Sequence, residues 1–142
     1  MTVPLTRLLT PVFWRAFSKS APALFRAREE YVRGDMKAAL ASFEEFLAST
    51  PDLPPDYQAF HAALLVLNHR SADAAQLYRE LIAHSNDRRQ RVRYAAAVAR
   101  FYLALIDEEP DALERWREAK ALQPSKGKTW KYYGLPDTPV AS

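Results

Sequence analysis

The sequence predicts an all-α fold: a short α-solenoid of about three helix-turn-helix repeats, with an extra N-terminal helix and a C-terminal aromatic tail. Three observations carry this. A small residue stands four positions before an aromatic at Ala39 and Phe43, at Ala74 and Tyr78, and at Ala112 and Trp116. Eight residues after each aromatic comes a helix terminator, Pro51, Asn86 or Pro124, and these lie 35 and 38 residues apart. That is the period of stacked helical hairpins. Finally, 49% of the residues are apolar and only three are Gly, which suits helices burying one face.

The bulk numbers narrow the function classes. At 142 residues the chain is long enough for one domain with a core of its own. A net charge of +3 is too mild to argue for nucleic acid. The absence of Cys excludes disulfides, thiolate metal sites and thiol nucleophiles. No apolar run approaches the roughly 18–20 residues of a membrane-spanning helix. The apolar stretch Leu8–Trp14 is short, broken by Pro11 and followed by Arg15, unlike a secretory signal.

Residues 1–19 form an apolar-basic segment. Arg7, Arg15, Lys19, Arg26 and Arg28 all precede the first acidic residue, Glu29. Leu5, Leu8, Leu9, Val12, Phe13 and Phe17 make one helical stripe. Pro4 suits a helix start, and Pro11 predicts a kink or a split. Three readings stand side by side. The segment caps the first repeat; or Leu5, Leu8, Leu9, Phe13, Trp14, Arg15 and Phe17 dock on a membrane surface or membrane-bound partner; or it is an Arg-bearing, acid-free mitochondrial presequence.

The repeats follow at about 20–53, 55–88 and 93–126. Ser20 is the expected cap of a helix carrying Leu24, Phe25 and Tyr31. Gly34 makes the turn and Asp35 caps the second helix, with Ala39, Leu40, Phe43, Phe46 and Leu47 on its apolar face. Pro54 and Pro55 forbid helix continuation from the first repeat. The second hairpin places Tyr57, Phe60, Leu64 and Leu67 on one helix, and Ser71 caps the next, which carries Ala74, Leu77, Tyr78, Leu81 and Ile82. The third opens near Asp87 with Arg88, Arg89, Arg91 and Arg93 and runs on through Tyr94, Val98, Phe101 and Tyr102. Its partner starts around Pro110 and carries Ala112, Leu113, Trp116, Ala119 and Leu122.

Tyr31-Val-Arg-Gly34-Asp35, continuing through Ala39, Phe43, Phe46 and Leu47 to Pro51, resembles the central part of a tetratricopeptide repeat. The strings from Ala74 to Ile82 and from Ala112 to Ala119 are similar to its second helix, so the resemblance covers about residues 20–126. The early Trp and the Leu-Gly pair usual in the first helices are missing. The resemblance implies a concave groove lined by first helices, bringing together Leu24, Arg28 and Tyr31, then Ala59, Ala63 and Val66, then Tyr94, Ala97 and Phe101. Such a groove is mainly apolar and aromatic with a basic rim, and suits a protein partner that offers a helix or an extended apolar segment. Only Arg28 matches the Lys and Asn clamp that some members use for acidic chaperone tails.

In the tail, 127–142, and just before it, Lys126, Lys128 and Lys131 surround Trp130, Tyr132 and Tyr133. These aromatics are expected to cover the open apolar face of the last repeat, or to meet a partner. Chemistry is not evident. His61 and His69 match no metal spacing, Asp107, Glu108, Glu109 and Asp111 suit a helix N-terminus, and no phosphate loop or nucleophile motif occurs. Leu77-Tyr78-Arg79 resembles the motif of the LYR family of small mitochondrial helical proteins, yet it falls in register with the second repeat. The sequence thus predicts a non-enzymatic interaction scaffold or adaptor for protein, without cofactor or metal, acting as a subunit of a larger, membrane-associated complex. A peripheral membrane protein anchored by residues 1–20 and an LYR-like mitochondrial assembly protein are the alternatives. The expected location is cytoplasmic or membrane-peripheral, with mitochondrial as the alternative, and nucleic acid is not an expected partner.

Overall fold

The computed structural model describes residues 11–50, 52–83, 89–124 and 132–138, with the backbone alone for 11–20. Six helices occupy most of these residues: α1 (Pro11–Val32), α2 (Met36–Ser49), α3 (Pro55–Leu67), α4 (Ser71–Ala83), α5 (Gln90–Ile106) and α6 (Ala112–Leu122). No strand occurs among the described residues. Each helix from α1 to α6 packs on the next in the chain, and α3 also packs directly on α5.

The expected break at Ser20 is absent. Helix α1 runs on through Ser20 and Pro22. A proline inside a helix forfeits one backbone bond and crowds the preceding turn. Ending one helix there and starting another would orphan four N–H and four C=O groups, so continuity is the smaller loss. Elsewhere the helices start within three residues of the expected signals, α5 at Gln90 being the furthest from its expected opening near Asp87. Asp35 accepts a hydrogen bond from the Ala38 N–H at 3.1 Å, and Pro55 sits in the first turn of α3, where its missing N–H costs nothing. Ser71 is the first residue of α4 rather than its cap, and α6 begins at Ala112 rather than Pro110.

The three hairpin turns share one backbone solution. Gly34, His69 and Glu108, spaced 35 and 39 residues apart, adopt φ of 85°, 62° and 55°. In each, the following N–H reaches back to close the helix end: Asp35 to the Glu30 carbonyl at 2.9 Å, Arg70 to Leu65 at 2.9 Å and Glu109 to Ala104 at 2.8 Å. This paired capping satisfies carbonyls that the last turn would otherwise leave open.

Aromatics join the hairpins. Phe43 on α2 meets Phe60 on α3 edge-on at 5.4 Å, and Phe46 meets Tyr57 at 5.9 Å. Tyr78 on α4 stacks flat on Tyr102 of α5 at 5.4 Å. The small partners Ala39 and Ala74 are fully buried beside them, which lets the backbones come close enough for the rings to fill the gap. The helices alternate in direction where contacts fix it. The Asn68 side chain, just after α3, donates to the Met36 carbonyl at the start of α2 at 2.9 Å. Gln90 at the start of α5 donates to the Leu122 carbonyl at the end of α6 at 3.3 Å.

Candidate functional site

The first helices of the hairpins, α1, α3 and α5, present one shared face, and the chain's own segment 132–136 lies on it. Helix α1 joins α3 through Tyr31, whose ring meets Phe60 edge-on at 5.5 Å. The Tyr132 ring then packs on both, 6.0 Å from Tyr31 and 5.5 Å from Phe60. The Arg28 guanidinium stands 5.0 Å from the Tyr132 ring and 5.7 Å from that of Tyr57, a cation–π arrangement that keeps a charge over two aromatic faces. Tyr133 is fully buried against Tyr94 of α5, ring centroids 4.9 Å apart.

Gly134 follows with φ of 79°, and a Cβ there would stand 2.6 Å from the Ala63 Cβ on α3. The position admits only glycine on both counts. The Tyr102 hydroxyl donates to the Gly134 carbonyl. Leu135 is buried, and the Trp116 indole N–H on α6 donates to the Pro136 carbonyl at 2.9 Å. The segment is therefore held by two ring pockets, one glycine contact and two side-chain donors aimed at its carbonyls.

Burial sets the electrostatics of this seat. It pushes the Tyr94 hydroxyl up to about 12, an effect that the hydrogen bond from Gln123 at 3.0 Å partly offsets. Burial raises Tyr102 and Tyr133 further, with the Asp56 charge adding to the rise at Tyr133. Tyr31 rises for the same first reason. All four are neutral phenols at physiological pH, so Tyr133 of the segment meets a surface, with Tyr31, Tyr94 and Tyr102 in it, that is aromatic and hydrogen-bonding, and Arg28 stands over the Tyr132 ring.

Of the nine residues expected to line a groove, Arg28, Tyr31, Ala63 and Tyr94 meet segment 132–134. Leu24, Ala59, Ala97 and Phe101 are buried, and Val66 is half-buried. Tyr132 and Tyr133 lie across α1, α3 and α5 rather than over the open end of the last repeat; Trp130 lies outside the described residues. So do Leu5, Leu8 and Leu9, and the side chains of Phe13, Trp14, Arg15 and Phe17. Sequence reasoning missed Tyr102, Trp116 and Gly134 as parts of this arrangement. The one available signal was Gly134, one of three glycines, inside the string Tyr132–Pro136.

No family model, curated protein or solved structure matches this chain.

Beside Tyr132 the face opens into a shallow depression of about 630 Å³ lined by Phe25, Arg28, Glu29, Val32 and Arg33. Phe25 and Val32 are 54% and 58% exposed. On the other side of α3, His61 stacks on Phe43 at 5.1 Å, and burial, aided by the Arg70 charge, pushes its pKa down to about 4. In the Leu77-Tyr78-Arg79 string, Tyr78 is fully buried against Tyr102, with Leu77 half-buried and Arg79 exposed. Among the described residues no three His, Asp or Glu side chains gather as a metal site, and no helix is long and apolar enough to cross a membrane.

Proposed function

We propose that the protein is a non-enzymatic scaffold of tetratricopeptide-like hairpins that binds a segment of another protein along the face of α1, α3 and α5. The observation that carries this reading is the seat of residues 132–136. A surface that holds a short stretch, a 3-10 turn at Tyr132 and Tyr133 running into irregular chain at 134–136, by ring pockets and by donors to its main-chain carbonyls has the chemistry of peptide recognition. Hairpins stacked with a period near 35 residues, each closed by the same capping turn, suit such a role, because side-by-side first helices form a continuous surface.

Native mass spectrometry of the protein gently isolated from its source tests the reading. A stoichiometric protein complex is the expected result, and a chain that arrives alone at every concentration and salt would count against it.

A further inference from the structure

Resting on that reading, we infer that residues 132–136 are an exchangeable intramolecular ligand. The partner segment carries the same pattern: two adjacent aromatics, a glycine, an aliphatic residue and a proline, uncharged over these five positions. Each element of the pattern answers a feature of the helices. The first aromatic fits between Arg28, Tyr31 and Phe60, and the second fits against Tyr94. The glycine is imposed by the Ala63 Cβ at 2.6 Å and by the left-handed backbone. The donors from Tyr102 and Trp116 take main-chain carbonyls, which any segment in the same backbone path supplies.

The chain's own copy has the advantage of being tethered. Tethering raises its effective concentration to roughly the millimolar range, so a competing segment must bind more tightly or find the tethered copy displaced. The seat is thus closed by default and opened by a better ligand. The depression beside Tyr132, with exposed Phe25 and Val32, gives a longer partner additional apolar surface next to the first aromatic pocket.

The test keeps the whole chain and removes only the tether. A protease-recognition sequence is inserted between Pro124 and Tyr132, the protein is folded intact and then cut, and a labelled peptide of residues 131–137 is added. The cut chain should exchange its own segment for the peptide while its helical circular dichroism stays constant, and the uncut chain should bind the peptide at least tenfold more weakly. A peptide carrying Gly134→Ala should bind at least tenfold more weakly than the parent. Failure of the cut, still helical chain to take up peptide overturns the inference. So does loss of the helical signal when the segment leaves, or equal binding of the two peptides. These results are separable from the scaffold reading: a stoichiometric complex from source together with no peptide exchange would move the partner to another face and leave the scaffold standing.

Discussion

Substituting Gly134 by Ala isolates the contact on which the seat depends, because Gly34 supplies a matched control. Both glycines have φ near 80°, at 79° and 85°, but a Cβ at Gly34 meets nothing within 4 Å whereas one at Gly134 meets the Ala63 Cβ at 2.6 Å. A left-handed backbone costs a non-glycine residue about 1–2 kcal/mol, and the stiffer unfolded chain returns about 0.4–1 kcal/mol. Gly34→Ala should therefore lose about 1 kcal/mol. Gly134→Ala adds overpacking against a helix that cannot easily yield, about 1–3 kcal/mol, for a total of about 2–4 kcal/mol. Urea unfolding followed by circular dichroism reads both losses. If the seat contributes less than this total, the segment undocks and the loss stops there, which the Trp116 indole N–H resonance reports as its bond to Pro136 breaks. Ala63→Gly should shrink the Gly134→Ala loss towards the Gly34 value, a coupling that distant sites would not show. Equal losses at the two glycines, with Trp116 unchanged, would refute the placement of Gly134 against α3.

The Tyr78 hydroxyl is fully buried with no hydrogen-bond partner; Tyr78→Phe should raise stability by about 1 kcal/mol, and a loss of that size would contradict the unpaired hydroxyl. His61 is held neutral with its pKa pushed down to about 4, so the unfolded chain binds a proton that the folded chain refuses between about pH 6.5 and 4. Stability is whole above pH 6.5 and falls by about 2 kcal/mol on the way to pH 4 after allowing for partial exposure; in His61→Leu that part of the pH slope should vanish, and an unchanged slope would point to other groups. His69→Gly and Glu108→Gly should each be neutral to about 1 kcal/mol stabilising, since relief of the left-handed backbone slightly outweighs the freer unfolded chain. A loss above 1 kcal/mol at either turn would mean that the side chain itself holds the turn.

What could be read from the sequence was local. Ala39 with Phe43 and Ala74 with Tyr78 announce second helices because a small residue and a ring on one face leave a periodic trace. Asp35 announces its cap by residue type alone. The αL turns at His69 and Glu108 left no trace as clear as that of Gly34, since positive φ is rare in non-glycine residues and the enrichment of histidine there is too weak to mark a turn. Ser20 followed by Pro22 mimics a helix start, and nothing in that string records the backbone bonds saved by continuing α1. The seat of 132–136 depends on contacts reaching back to Arg28, Tyr31 and Ala63, about seventy to a hundred positions away, which no local pattern encodes. Apolar positions such as Leu24, Ala59 and Phe101 carry the same sequence signature whether they line an open groove or the core, and the structure buries them.

The most direct measurement is a nuclear Overhauser experiment on the intact, isotopically labelled protein. The account predicts cross-peaks between the Tyr133 and Tyr94 rings, whose centroids are 4.9 Å apart, and between the Tyr132 ring and those of Phe60 and Tyr31. Random-coil shifts for residues 132–136, with none of these cross-peaks, would contradict it.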